Sequence, residues 1–138
     1  MNRLDVDGVA EVLRTVFAPW IVEMGLEPVA VRDGGADFVV RDNRRLVHAG
    51  GVICGQASAA AADTAAVLTL CALNGRFRPV TTVDLTTHFV RPLPPGDADI
   101  SVTVDANGKR MAYVRAEIRP AGSDKLSVSF SGAFMYLD

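Results

Sequence analysis

The sequence predicts an α+β fold in which a curved antiparallel sheet wraps around one long central helix. Three observations carry this. Gly55 to Leu73 holds eight alanines, no proline and few β-branched residues, and it closes on Asn74-Gly75, the composition of a long helix with a C-terminal cap. Ala98 to Asp105 alternates strictly, with Ala98, Ile100, Val102 and Val104 on one face and Asp99, Ser101, Thr103 and Asp105 on the other, as in a half-buried antiparallel strand. A helix apolar nearly all round must be covered on most of its surface; a curved sheet made from the strand-rich remainder is the natural cover, with a second subunit able to cover the face left over.

The other elements follow in order. Asp5 to Phe17 spaces Val6, Val9, Val12, Leu13, Val16 and Phe17 as an amphipathic helix. Pro19 is expected to end it, leaving Trp20 to Gly25 as an irregular turn. Leu26 to Arg32 and Ala36 to Arg41 are valine-rich and separated by Asp33-Gly34-Gly35, which predicts a hairpin. After the long helix, Val80 to Val90, Ala98 to Asp105, Met111 to Arg119 and Leu126 to Leu137 read as a four-strand meander.

At 138 residues, 49% hydrophobic and 22% charged, residues 1–138 are expected to form one domain with its own core. The net charge of −2 offers no basic surface, so neither nucleic acid nor an anionic membrane is expected as partner. Arg3, Asp5, Asp7, Glu11 and Arg14 break up the N-terminus, so no apolar leader core is present and a cytoplasmic location is expected. Leu46 to Ala62 is free of charge but too short and glycine-interrupted to span a bilayer. Cys54 and Cys71 sit at opposite ends of the long helix, roughly 25 Å apart at 1.5 Å per residue, so they cannot bridge and do not form a metal motif.

Asp63 is the odd residue. It interrupts the alanine run, and Ala59, Ala60, Ala66 and Val67 lie one turn away, so no charged partner is within local reach. Burial there would push its pKa upward and make it a candidate base or nucleophile. Two plainer readings stand beside this one: a helix N-cap, which the flanking alanines disfavour, and a position on a solvent-facing stripe. Upstream, Gly50, Gly51 and Gly55 flank Val52-Ile53-Cys54, so backbone can approach a ligand at the positive end of the helix dipole, although such loops also occur simply as tight connections.

The stretch His48-Ala-Gly-Gly-Val-Ile-Cys-Gly-Gln-Ala-Ser-Ala-Ala-Ala-Ala-Asp63-Thr64 resembles the central signature of the hotdog-fold acyl-CoA thioesterases, of the phenylacetate-pathway type. Val80-Thr-Thr-Val-Asp-Leu-Thr-Thr-His-Phe-Val-Arg-Pro92, Pro95-Gly-Asp97 and Gly108-Lys-Arg110 are similar to the family's long strand, Arg-Pro turn and hairpin, extending the likeness from Arg44 to the C-terminus. The resemblance implies Asp63 as the catalytic carboxylate, Gly55 as the backbone donor to the thioester carbonyl, and His48 and Thr82 as the groups that orient substrate or water. Gln56 beside Gly55, and Arg91, Lys109 and Arg110 on turns, are implied as substrate-binding residues, the cations toward coenzyme A phosphates; charges beside turns are also commonly just solvated. The chain departs from the family where Cys54-Gly55-Gln56 replaces His-Gly-Gly and where His48 replaces Asn or Gln.

Thr82, Asp84, Thr86 and His88 are expected on one face of their strand, with Val83, Leu85 and Phe89 on the other; His88 is read as structural. The implied function is hydrolysis of an acyl-CoA thioester at a site between subunits of a homodimer or homotetramer. It uses no metal or cofactor beyond the coenzyme A of the substrate. The alternatives are a non-catalytic acyl-CoA-binding module, and a dehydratase or hydratase on the same fold, whose histidine spacing His48 and His88 do not match.

Overall fold

The computed structural model describes residues 2–138. Its first helix, α1 (Val6–Val16), starts where the Asp5 side chain accepts a hydrogen bond from the Gly8 N–H at 2.8 Å, satisfying one of the free donors of the first turn. Pro19 does not lead into an irregular turn. It opens a short helix, α2 (Pro19–Val22), because a proline at the first helical position loses no hydrogen bond and already has a helical φ.

Strands β1 (Leu26–Arg32) and β2 (Gly35–Val40) form the expected hairpin. A 3-10 turn at Arg44–Leu46 and a narrow loop then lead into α3 (Gly55–Asn74), the central helix. Thirteen of its twenty residues are buried. Its length and composition would suit a membrane span, but 72% of its most apolar window is already covered by the protein, which marks it as a core helix. One hydrophobic cluster runs from Val9 on α1 through Leu68 and Leu70 on α3 to Tyr136 near the C-terminus. Cys54 and Cys71 are free thiols, and burial pushes that of Cys71 up to about 12.

Strands β3 (Val80–Phe89), β4 (Ala98–Asn107), β5 (Met111–Pro120) and β6 (Val128–Tyr136) complete a six-stranded sheet in the order β1-β2-β4-β5-β6-β3, with every neighbouring pair antiparallel. The last four strands are therefore not a simple meander. β4, β5 and β6 pair consecutively, but β3 sits on the outer edge beside β6, and the chain crosses from it to the middle of the sheet. The connection is the Pro-rich segment between Phe89 and Ala98, which contains the Arg91-Pro92 pair. It is too long for a tight hairpin, and Leu93 within it is buried with its carbonyl accepting from the Ile53 N–H at 2.9 Å, which holds the crossing chain against the start of α3.

The β3–β6 register changes a second expectation. Val83 has no partner: Thr82 pairs with Phe134 and Asp84 with Ala133, a bulge that reverses the alternation beyond it. Thr82 lies opposite buried Phe134, while Thr87 and Phe89 lie opposite buried Phe130 and Val128. Directly paired residues share a face, so Thr82, Leu85, Thr87 and Phe89 look toward α3. Asp84, Thr86 and His88 look outward. The sequence pattern, read without a bulge, had grouped Thr82 with these last three.

The C-terminus of α3 is fixed by Gly75, whose φ is +77° and whose N–H reaches the Ala72 carbonyl. A methyl group there would fall 2.2 Å from the Asn2 carbonyl oxygen. Gly75→Ala combines left-handed strain with a backbone clash and is expected to cost about 1–3 kcal/mol, read as a lower urea midpoint at unchanged slope.

Candidate active site

Asp63 is the ninth residue of α3, which begins at Gly55 with Cys54 as its cap, so the N-cap reading does not hold. The carboxylate is half-buried. Its Oδ1 accepts a hydrogen bond from Thr82 Oγ1 on β3, just before the bulge at Val83, at 3.2 Å. Desolvation raises the Asp63 pKa, and the Thr82 hydroxyl, by stabilising the ionised form, lowers it by a smaller amount. The result is a carboxylate more basic than one in water, held among the described residues by a single side-chain hydrogen bond and with no cation beside it.

Gly55 and His48 lie at the N-terminal end of the same helix. As the first residue of α3, Gly55 has an N–H with no carbonyl acceptor inside the helix, and it sits at the positive end of the dipole. The loop before it is cross-tied: the His48 N–H donates to the Val52 carbonyl and the Gly51 N–H to the His48 carbonyl. The imidazole folds back so that Nδ1 accepts from the Gly50 N–H at 2.8 Å. Gly50 permits this, since a methyl there would lie 2.6 Å from His48 Cε1. With Nδ1 an acceptor, the neutral ring carries its proton on Nε2 and can act as a donor, much as an amide does.

His48 and Gly55 line a cleft of ≈ 310 Å³ together with Ser58, Phe89, Arg91 and Leu93. Phe89 was assigned to the strand face away from Thr82 and was not expected at the site. The bulge brings its ring over Gly55, 3.2 Å from where a methyl on that residue would stand. Ser58 was also missed; the only available signal was a lone hydroxyl one turn after Gly55 in an alanine run. Arg91 lies on the cleft wall, its guanidinium donating to the Leu126 carbonyl at 2.9 Å, and Gln56 is exposed beside Gly55.

Lys109 and Arg110 are not near these residues. Their turn between β4 and β5 is tied to the C-terminal end of α3 by a ring of hydrogen bonds: Asn107 to Asn74, Asn74 to the Tyr136 hydroxyl, and that hydroxyl to Asn107. Nineteen residues of helix separate Asn74 from Gly55, about 28 Å. Asp63 and Gly55, eight residues apart, are themselves separated by about 12 Å. One chain therefore holds these groups in two separate places, the Asp63 carboxylate with its hydroxyl partner and the cleft beside Gly55.

Residues 39–135 match the family described as the acyl-CoA thioesterase N-terminal domain. A Thermoplasma volcanium protein named as an inferred esterase is 30% identical over 108 residues, covering 78% of this chain and 80% of the relative. Among solved structures, a thioesterase of Haemophilus influenzae superposes with a TM-score of 0.85 at 17% identity, over 98% of this chain and 92% of that one. A mutant of the phenylacetic acid degradation protein PaaI of Thermus thermophilus gives 0.74 at 22%, over 87% and 100%. At those identities the two structures establish the shared architecture, a hotdog fold. The family match spans most of the sequence and settles membership: the chain belongs to the acyl-CoA thioesterase N-terminal domain family and is a hotdog-fold thioesterase.

Proposed function

We propose that the protein hydrolyses an acyl-CoA thioester, with Asp63 as base or nucleophile and the Gly55 N–H as oxyanion donor. The observation that carries this reading is the half-buried Asp63, its pKa raised and its sole side-chain partner the Thr82 hydroxyl. Asp63 would take a proton from water as the water oxygen adds to the thioester carbon, or add to that carbon itself. Negative charge develops on the carbonyl oxygen, where a free helix N-terminal N–H is best placed to meet it. With water as nucleophile, collapse breaks the C–S bond and the proton passes from Asp63 to the coenzyme A sulfur, leaving the free acid and the thiol. With Asp63 as nucleophile, collapse expels the coenzyme A thiolate and leaves an acyl-Asp63 anhydride, which a water hydrolyses to the free acid, restoring the carboxylate and supplying the thiolate's proton. Thr82 orients the carboxylate, and the His48 Nε2–H orients substrate or water. Only protein groups and water take part; coenzyme A enters as part of the substrate.

A separation of about 12 Å is too great for Asp63 and Gly55 of one chain to act on a single carbonyl, whose attacking and stabilising partners must each lie about 3 Å away. The reading therefore requires a second copy, so that Asp63 and Thr82 of one chain face His48 and Gly55 of another. β3 supports this. It is an edge strand, and Val83, Leu85, Phe89 and Val90 are each more than 40% exposed. Such an apolar edge invites pairing with its own copy in a homodimer, alone or paired into a tetramer. Arg91 would meet the coenzyme A phosphates from within the cleft, with Gln56 beside it; Lys109 and Arg110 would reach them from the neighbouring copy.

Asp63→Asn is expected to lower kcat by about 10²–10⁴-fold with the melting temperature unchanged or higher, since it removes a desolvated charge. Acyl-CoA turnover followed with a thiol reagent tests this, and full turnover by the variant excludes the mechanism.

The base must be ionised, so activity rises with pH through the elevated Asp63 pKa. Thr82→Val removes the hydrogen bond that lowers that pKa and is expected to move the acidic limb of the kcat/KM profile to still higher pH. An unmoved limb would show that Asp63 does not set it.

Finally, Asp63→Asn and His48→Ala proteins, each of low activity, are expected to recover about a quarter of wild-type activity when mixed and allowed to exchange subunits. Half of the dimers are then mixed, each with one intact site. Absence of any recovery despite exchange argues for sites contained within single chains.

A further inference from the structure

β3 carries an outward row of side chains that the proposed chemistry does not use. Beyond the bulge at Val83, Asp84, Thr86 and His88 face away from α3, opposite Ala133, Ser131 and Ser129 of β6, and all three are exposed. The ion pairs nearest on this face, Arg115 with Asp105 and Glu117 with Arg119, begin a further strand in, about 10 Å from β3. They take in neither Asp84 nor His88. Those two are about 13 Å apart along an extended strand, too far to meet within one chain. The row therefore reads acid, hydroxyl, imidazole at even spacing, and turned end for end about Thr86 it is its own complement, which is what a two-fold interface requires.

We infer that β3 pairs with β3 of a second copy, antiparallel and on a two-fold axis at Thr86, so that Asp84 of each chain meets the partner's His88. The inference rests on the reading above that a second copy covers this edge, and it goes further by fixing the register. Opposed residues of an antiparallel pair share a face, and β3 alternates from Asp84 to Phe89. An axis between two residues would set each inward side chain against an outward one, so the axis must pass through a residue. At Asp84 it would oppose two carboxylates, and at His88 it would leave Asp84 beyond the end of the partner's strand. At Leu85 Asp84 would meet a threonine, and at Thr87 it would meet Val90. Only at Thr86 do two Asp84–His88 pairs form, and an imidazole can donate to a carboxylate whether neutral or charged.

The opposite face of the strand asks for the same axis. Counting across Val83 from Thr86 brings Thr82, which holds Asp63, to the partner's Phe89 and Val90. In each chain those two residues line the cleft beside Gly55, with the Phe89 ring lying over that glycine. Charge pairing on the outer face and assembly of the site on the inner one thus select one register independently.

Cross-linking reads the register directly. Opposed residues of an antiparallel pair have Cα atoms about 4.5–5.5 Å apart, within disulfide reach. Thr86→Cys is expected to cross-link to its own copy under copper phenanthroline. Asp84→Cys and His88→Cys are expected to cross-link only when the two proteins are mixed, since each lies about 13 Å from its own copy. The unsubstituted protein, with Cys71 buried, is the blank. His88→Asp opposes two carboxylates at each pair and is expected to raise the dimer Kd about tenfold or more by sedimentation equilibrium. Adding Asp84→Arg to the same chain restores opposite charges and is expected to return the Kd to within about threefold of the original.

A Thr86→Cys protein that sediments as a dimer yet does not cross-link overturns the axis, and turnover of acyl-CoA by that dimer leaves the hydrolytic reading standing without it. Failure of Asp84→Arg to rescue His88→Asp overturns the paired charges. A Thr86 cross-link in a protein that cleaves no acyl-CoA supports the seam and counts against hydrolysis.

Discussion

The structure depends on enclosing a helix that has no polar side. α3 has buried residues around most of its circumference, and a single layer of sheet cannot cover such a cylinder unless it curves. Alanine makes the close approach possible: with a methyl group at position after position, Val102, Val114 and Phe130 from three strands can all reach the helix surface. Into this surface the sequence inserts one carboxylate. Asp63 is tolerated because it lies toward β3, the edge strand, where enclosure is incomplete and a hydroxyl waits. Moved one position along the helix, the same charge would be forced among Ala62, Ala65 and Ala66, which are fully enclosed, with nothing to receive it.

The elements whose patterns are local were legible in the sequence. The alternation of Ala98 to Val104, the Asp33-Gly34-Gly35 turn and the alanine run ending at Gly75 each reflect a period or a backbone requirement that neighbouring residues express together. What was not legible depends on partners distant in sequence. The placement of β3 beside β6 is decided by which edge the crossing chain can reach once Leu93 is anchored, and nothing in Val80 to Val90 records it. The bulge at Val83 is similar: an unbroken β-branched run gives no sign of one unpaired residue, yet that residue decides which side chains face the helix.

The same distinction separates the parts of the candidate site. Asp63 stood out because a charge in an alanine run conflicts with its surroundings, and such conflict is visible in sequence. Gly55 and His48 were reached through the motif around them. Phe89 and Ser58 were invisible for different reasons. Phe89 reaches the cleft only through the register shift, and a serine in a helix carries no signal until its hydroxyl is found without the backward bond that Thr64 and Thr69 make.

α3 also fixes the scale of the proposed chemistry. Helical rise sets the distance from the Gly55 donor to the Asp63 carboxylate, and no loop movement can shorten it, because both belong to one rigid element whose ladder is protected by burial. A donor and a base on one rod meet at one reacting carbon only if a second rod lies alongside with its own pair in reverse order. The apolar exposure of β3 is then a consequence of the same arrangement as the pKa of Asp63: both mark the side on which the sheet stops short of enclosing the helix. Covering that side with a second copy would shield Val83 and Leu85, withdraw Asp63 further from water and bring it opposite a neighbour's cleft. On this reading assembly and activation of the carboxylate are one step, which is why the proposed catalyst needs no separate device to raise its base.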